Sequence, residues 1–219
     1  VAALERLRRM QTEVRVVPEV ADMFRDLAPL AEPENRAGLA NLGDALANDP
    51  EFRRRFLADD ARAALVRDTV AVTVLKAGAS PNVVPEEAVA ELDVRLLPDE
   101  RCDEFLEQLR DVVSDPSIRI EPILAFETRS STPDTQLFRA IERVANEIDP
   151  GALVLPLVIA GFTDAHYFRE RGIVSYGFVP RWLPPRETHG IHGPNERVSI
   201  ENLERGIEAT AKILEAIGQ

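Results

Sequence analysis

The chain has 219 residues, of which 45% are hydrophobic and 29% charged, and its formal net charge is −12. This length and composition are those of a globular protein with room for one large domain or two small ones. The negative charge disfavours nucleic acid and anionic membranes as partners, and the longest apolar run, ALVLPLVIAGF, is too short to cross a bilayer. The single cysteine, Cys102, excludes an internal disulfide and a thiolate metal cage, which favours a cytoplasmic location.

Residues 1–67 are predicted to be helical. VAALERLRRM is amphipathic, and DALANDPEFRRRFLADDARAALVRD predicts one or two further helices that break near Pro50. Nothing in this region indicates chemistry, so we interpret residues 11–67, approximately, as a helical insertion.

Strand patterns begin at Asp68. DTVAVTVLKAG is rich in β-branched residues, AVAELDVRLLP alternates apolar and polar residues, and IRIEPILAF predicts a third strand. Between the second and third strands, CDEFLEQLRDVV has an apolar stripe of helical period. An antiparallel sheet covered by helices is an α+β arrangement, and with one more strand residues 1–126 would be ferredoxin-like.

Residues 130–219 show α/β order. Thr132 is predicted to cap a helix that begins at Pro133, after the turn-rich stretch ETRSSTPDT. Strand ALVLPLVIA, short helix DAHYFRERG, strand IVSYGFV and a helix over residues 200–217 follow, with Ser199 as the last cap. Three units are few for such a layer, so this half is predicted to be part of a larger α/β domain.

His192 is the first candidate functional residue. It lies in ETHGIHGPNERVS, a loop with two glycines and a proline that follows an α/β strand, where ligands and metals usually bind. A surface histidine in a mobile loop fits the same pattern, so the residues alone leave both interpretations open.

Four further candidates have equally simple structural explanations. Asn82 in GASPNVVPEE fits a turn, and Arg95 on the polar face of its strand is either solvated or, in a cleft, a carboxylate ligand. Gly161 permits close approach of the backbone to a ligand, and Thr163 or Asp164 can cap a short helix.

The motifs NVVP, ELDVRLLP, GFTDAHYF, GIVSYGFVP and HGPNERVSIENLERGIE, in this order, resemble one family. It is the dizinc metallopeptidases that include aminoacylase, carboxypeptidase S, glutamate carboxypeptidase and succinyl-diaminopimelate desuccinylase. The resemblance extends over residues 68–217, is weak over 1–67, and is closest to carboxypeptidase S and its relatives.

The resemblance implies that the chain contains parts of two domains with different functions. Residues 1–126 would be the lid or dimerisation domain, and residues 130–219 the C-terminal part of the catalytic domain. His192 matches the last zinc ligand, and Gly161 and Thr163 match a segment that lines the substrate cleft. Asn82 and Arg95 match lid residues that bind the substrate carbonyl and carboxylate, in some members across a dimer.

The family's other zinc ligands and its glutamate base belong to an upstream segment that this sequence does not contain. The resemblance therefore implies a homodimeric enzyme that uses two zinc ions to hydrolyse a peptide or N-acyl amino acid next to a free carboxylate. The present chain alone would hold zinc poorly and be inactive. The alternatives are a non-catalytic dimerisation or binding module, and a single-metal hydrolase that uses His166, His189 and His192.

Overall fold

The computed structural model describes residues 1–98, 100–184, 187, 191 and 193–218. The chain forms two compact units. Unit 1 is Val1–Ser130 with Leu157–Phe162, and unit 2 is Ser131–Pro156 with Thr163–Gln219. The sequence-based assignment of residues 1–126 to a lid and 130–219 to a catalytic part remains a prediction.

The N-terminal part of unit 1 is helical, as predicted. The helices are α1 (Ala2–Arg9), α2 (Pro18–Leu27), a 3-10 helix (Ala28–Leu30), α3 (Pro33–Ala40), α4 (Leu42–Asn48), α5 (Pro50–Leu57) and α6 (Asp60–Ala63). Helices α2, α3 and α5 begin with proline, whose missing N–H would have no partner in the first turn of a helix. The predicted break near Pro50 is confirmed, because the Asp49 carboxylate caps α5 by accepting the N–H groups of Glu51 and Phe52.

The helical segment has its own apolar core. Phe56 is 1% exposed, and its ring lies 5.2 Å from that of Phe24 and 5.8 Å from that of Phe52, measured between centroids. Other buried members of this core are Val17, Val20, Met23, Ala28, Leu39, Leu42, Leu46 and Val66. Each large side chain buried in this way contributes about 1.5–3 kcal/mol, so the segment is held by packing rather than by its short helices alone.

Two antiparallel strands, β1 (Thr69–Ala77) and β2 (Ala88–Arg95), form a hairpin in unit 1. The pairing register shifts between Val72 and Val74. Such a bulge places one extra residue on β1 and increases the local twist. The composition and alternation of the sequence predicted the two strands, but they did not predict the bulge or the pairing register.

Helix α7 (Cys102–Val113) has the predicted bounds and covers this sheet together with α1. Phe105 and Leu109 of α7 and Leu7 of α1 are buried in one apolar cluster. The sheet contributes Val70, Leu92 and Val94 to that cluster, with Leu96 directly after β2. Two helices thus cover one face of an antiparallel sheet, and the predicted α+β class is confirmed.

Unit 2 contains α8 (Gln136–Ile148), α9 (Ala165–Arg169) and α10 (Ile200–Ile217). Helices α8 and α10 share a core whose buried members are Ala140, Ile141, Val144, Ala209 and Ile213. The predicted cap of α10 is confirmed, because the Ser199 hydroxyl accepts the N–H of Asn202 at 3.3 Å. Helix α10 has 18 residues and carries charged as well as apolar side chains. None of the described helices is both long enough and apolar enough to cross a membrane.

The predicted cap of α8 was wrong. Its cap is Thr135, whose hydroxyl accepts the Phe138 N–H at 3.0 Å, whereas Thr132 accepts the N–H of Asp134 and closes a turn before the helix. Both threonines precede the same apolar stripe by a few residues, so the sequence pattern does not choose between them.

Three predicted strands, IRIEPILAF, ALVLPLVIA and IVSYGFV, are not strands in the described part of the chain. A strand requires a neighbour for its backbone N–H and C=O groups, and the described residues provide none for these segments. Their apolar side chains are correspondingly exposed, with Leu157 at 66% and Ile123 at 84%. The apolar composition of these segments is therefore not matched by burial in this chain.

Candidate site around Arg95 and Gly161

Arg95, the last residue of β2, has both ends of its guanidinium engaged within unit 1. Its Nη2 lies 3.0 Å from Oδ2 of Asp93, and its Nη1 donates to the backbone carbonyl of Ala160. Asp93 lies two positions before Arg95 on the same strand and therefore on the same face. Both side chains of the ion pair remain about half exposed, so a ligand from solvent can reach the guanidinium.

Gly161 lies directly beside Arg95. A Cβ atom on Gly161 would be 3.5 Å from Nη1 of Arg95. The next residue, Phe162, packs its ring against Phe126 with centroids 4.7 Å apart, which fixes this segment on unit 1. Two of the residues predicted as substrate ligands, Arg95 and Gly161, are thus brought together by the fold.

Asn82 lies at the other end of the hairpin. Its Oδ1 accepts a hydrogen bond from the Ser80 hydroxyl at 2.6 Å, and the adjacent Val83 is 62% exposed. Asn82 follows the end of β1, where Ala77 pairs with the first residue of β2, whereas Arg95 is the last residue of β2. At about 3.3 Å per residue, the seven steps of β2 alone separate the two ends by roughly 23 Å. The described fold thus places Asn82 in the loop at one end of the hairpin and Arg95 at the other end.

Thr163 and Asp164 precede the short helix α9. The Thr163 carbonyl accepts the N–H of His166 at 3.1 Å, and Asp164 occupies the N-cap position without a hydrogen bond from its side chain to the helix. The simple capping role considered for these side chains is therefore not observed, and the role of Thr163 in substrate binding stays a prediction.

The predicted metal ligand His192, and His189, lie outside the described residues. His166 is 8% exposed, with its Nε2 3.3 Å from Oε1 of Glu170 and its ring centroid 5.0 Å from that of Tyr167. Among the described residues, no three His, Cys, Asp or Glu side chains are close enough together to hold a metal ion. The described part of the chain thus does not fit a complete zinc site.

Cys102 is a packed thiol. Its Sγ donates to the backbone carbonyl of Phe126 at 3.1 Å. Burial, followed by the charge of Glu127, raises the pKa of the thiol, so the thiolate is disfavoured at neutral pH. A nucleophilic or metal-binding role for Cys102 is not supported by this environment.

The helix-covered antiparallel sheet of unit 1 lies in the part of the chain that is similar to a known protein family. Residues 9–121 match the family described as peptidase dimerisation domain, which is that of the M20 peptidases. The chain belongs to this family, and the resemblance seen in the sequence is confirmed.

Curated relatives are consistent with this membership. The chain is 31% identical over 144 residues to N-fatty-acyl-amino acid synthase/hydrolase PM20D1.1 of Danio rerio, a match that covers 64% of this chain and 28% of that protein. It is 28% identical over 159 residues to the Homo sapiens PM20D1 (69% and 31%), and 24% identical over 147 residues to a probable carboxypeptidase S-like 2 of Dictyostelium discoideum (66% and 28%). The matched region spans less than a third of these relatives.

A solved structure has the same fold. It is an M20 family metallo-carboxypeptidase from Sulfolobus solfataricus, with a TM-score of 0.56, 19% identity, and coverage of 99% of this chain and 52% of that chain. The two chains thus share a fold over nearly the whole of the present chain.

Asp93 was not predicted as a partner of Arg95. The signal was present, because an acid and an arginine two residues apart on a strand share a face. Nothing in the sequence pattern indicated that the Ala160 carbonyl would accept the other end of the guanidinium, since that contact joins residues 65 positions apart.

Proposed function

We propose that this chain is the lid and the C-terminal catalytic segment of an M20 amidohydrolase. The proposed substrate is a peptide or an N-acyl amino acid, cleaved at the amide bond next to a free carboxylate. The proposal rests on one observation above all, which is that Arg95 and Gly161 meet in unit 1 as a solvent-accessible guanidinium beside a side-chain-free backbone.

In this proposal Arg95 anchors the substrate carboxylate. A guanidinium can bind a carboxylate with two parallel hydrogen bonds, and in this structure Nη2 donates one hydrogen bond to Asp93. A substrate carboxylate would exchange with Asp93 at that edge, while Nη1 stays on the Ala160 carbonyl. Arg95→Lys keeps the positive charge but loses the paired N–H donors of the guanidinium, so it is expected to raise KM with a smaller effect on kcat. An unchanged KM would remove Arg95 from the substrate site.

We propose that Asn82 serves the site of a partner protomer. A carboxamide N–H stabilises the charge that develops on the scissile carbonyl oxygen. The length of the hairpin separates Asn82 from Arg95 of its own chain, whereas a symmetric dimer can bring the two ends of different chains together. A homodimer through the lid follows from this proposal, and sedimentation analysis of the complete protein is expected to show a dimer; a stable active monomer would contradict it.

We propose that His192 is one ligand of a zinc site that other parts of the protein complete. The described residues form no metal cluster, so this chain alone is expected to hold zinc poorly and to be inactive. Bound zinc would supply Lewis-acid activation in the complete enzyme. Metal analysis of the isolated chain is expected to find less than one tightly held zinc, and stoichiometric zinc with turnover would favour the single-metal alternative.

The exposed apolar segments of this chain support the proposal that further secondary structure completes its α/β layer. Leu153, Leu157, Ile159, Ile173 and Val179 are each at least half exposed and lie in segments with strand-like sequences. Apolar side chains in such numbers normally pack against a neighbouring layer. In the complete protein, amide protons of these segments are expected to exchange more slowly than in the isolated chain, and equal exchange rates would argue against a shared sheet.

The main experiment is turnover of the complete protein with N-acyl amino acids of different chain length and with dipeptides. His192→Ala is expected to remove most activity while unfolding is unchanged, and His189→Ala serves as the matched control. Retained turnover in His192→Ala would refute the metal assignment. Equal loss in both variants would favour the single-metal alternative, and no turnover by the wild type would favour a non-catalytic dimerisation module.

A reducing, cytoplasmic location is also proposed, because the chain contains one thiol and no possible internal disulfide. Fractionation of cells that express the complete protein tests this proposal, and recovery from an oxidising compartment would contradict it.

A further inference from the structure

Residues 180–184, termed the strap, lie along one face of helix α10. Asn202 binds both backbone groups of Trp182, since its Oδ1 accepts the Trp182 N–H and its Nδ2 donates to the Trp182 carbonyl, each at 2.8 Å. One carboxamide thus pairs with the backbone in the way that a neighbouring strand would.

Two further positions on the same helical face complete this contact. The guanidinium of Arg205 lies over the Trp182 ring, 4.6 Å from its centroid. A Cβ atom on Gly206 would lie 3.2 Å from the carbonyl oxygen of Pro180, so glycine permits the close approach of the strap. Asn202, Arg205 and Gly206 follow the spacing i, i+3, i+4, which places them on one side of α10.

The same carboxamide also holds Glu187. Nδ2 of Asn202 donates to Oε2 of Glu187 at 2.8 Å, and the two residues are 4% and 6% exposed. Polar groups buried to this extent are costly unless they are hydrogen-bonded, so this bond stabilises the position of Glu187 on the helix. Aspartate lacks the two N–H groups used here, and leucine lacks all three bonding groups, so the position is specific for asparagine.

Asn202 also contacts Ser199, the residue directly before helix α10. Its backbone N–H donates a hydrogen bond to the Ser199 hydroxyl. One residue of α10 therefore binds the chain on both sides of the segment 188–198, at Glu187 before it and at Ser199 after it. Neither the family match nor the relatives' names assign any role to this residue.

We infer that Asn202 is a positioning residue that holds the strap and Glu187, the described residue before the segment 188–198, on helix α10. The segment contains His192, so the functional meaning of this inference rests on the proposed function.

The experiment uses the single tryptophan of this chain. Selective ¹⁵N-tryptophan labelling gives one backbone amide signal, that of Trp182, whose proton is donated to Asn202. In Asn202→Asp this signal is expected to shift, and its exchange with solvent is expected to accelerate at least about tenfold, because two donors are lost and a second carboxylate faces Glu187.

Rescue by the double variant Asn202→Asp with Glu187→Gln separates positioning from general destabilisation. The glutamine amide introduced by the second substitution can donate to the carboxylate introduced by the first, so the Trp182 signal and its exchange rate are expected to return toward the wild-type values. The matched control is Asn146→Asp on α8, which removes an exposed carboxamide bond to the Glu142 carbonyl in the same unit and is expected to leave the Trp182 signal unchanged.

An unchanged Trp182 signal in Asn202→Asp, or equal losses in the single and double variants, would overturn the inference. These results do not depend on enzymatic activity. Failure of the proposed function would instead appear as full turnover in His192→Ala, and that result would leave the anchoring by Asn202 intact.

Discussion

Gly38 and Gly43 are two helical glycines of unit 1 for which the structure predicts opposite effects of alanine. A Cβ atom on Gly38 would lie 2.3 Å from Cε2 of Phe52, whereas nothing lies within 4 Å of one on Gly43. In the absence of a clash, glycine to alanine in a helix stabilises by about 0.4–1 kcal/mol. Phe52 is 3% exposed and packed against Phe56, so its ring cannot move into solvent without loss of buried area.

Overpacking of a filled core costs about 1–3 kcal/mol, which exceeds the helix-propensity gain. We therefore expect Gly38→Ala to lower the free energy of unfolding by about 1–2 kcal/mol and Gly43→Ala to raise it by up to about 1 kcal/mol. Urea unfolding followed by far-ultraviolet circular dichroism measures both, and the Trp182 fluorescence reports unit 2 separately as an internal control. Equal stabilisation by both substitutions would show that α3 does not pack on Phe52 as described.

Three further predictions concern the sheet, the last helix and the candidate site. Burial raises the pKa of the Asp68 carboxyl in the folded protein above its value of about 3.9 in the unfolded chain. The neutral carboxyl therefore contributes its full stabilisation below a pH of about 3.9, and this contribution is lost as the pH rises through the pKa of the folded protein. Asp68→Asn, which keeps the acceptor for the Leu97 N–H, is expected to remove this part of the pH dependence of unfolding; an identical pH profile would contradict the assignment. Ser199→Ala is expected to destabilise α10 by about 1 kcal/mol, measured by amide exchange of its first turn, and unchanged exchange would exclude the cap. Gly161→Leu is expected to displace the guanidinium of Arg95 and to raise KM of the complete enzyme with little loss of stability, whereas Gly161→Ala, at ordinary contact distance, is expected to be mild; equal KM values in both variants would argue against the contact.

Local patterns predicted the elements whose partners lie nearby in the sequence. The apolar stripe of CDEFLEQLRDVV gives α7 with its observed bounds, because Phe105, Leu109 and Val113 pack on the sheet that immediately precedes them. The break at Pro50 was predictable for a similar reason, since proline and the preceding Asp49 act within one turn.

The sequence did not predict features that depend on distant partners. The segments IRIEPILAF, ALVLPLVIA and IVSYGFV have strand composition, but a strand exists only when another backbone pairs with it. The bulge in β1 and the approach of Ala160 to Arg95 have the same origin, because each is set by residues that no local pattern connects. The resemblance of motifs named both Arg95 and Gly161 as substrate-binding residues, whereas the strand pattern alone left Arg95 either solvated or a carboxylate ligand in a cleft.

The buried carboxamide of Asn202 is a feature that the structure shows and the sequence pattern did not predict. SIENLERG places a polar residue at a helical position that could equally have been solvated, and only the structure shows it 4% exposed and bonded to Trp182 and Glu187. Buried polar groups of this kind are found by following hydrogen bonds in a structure, since hydrophobic periodicity carries no signal for them.

We propose that this chain supplies Arg95 to its own site and Asn82 to that of a partner within a dimeric amidohydrolase. Mixing complete proteins that carry Asn82→Ala and Arg95→Ala tests it most directly. If subunits exchange freely, half of the dimers are mixed and each has one site with both residues intact, so the account predicts recovery of about a quarter of wild-type turnover. Each variant alone is expected to be nearly inactive. No recovery after confirmed subunit exchange would show that the two residues act within one chain or not at all, and would contradict the account.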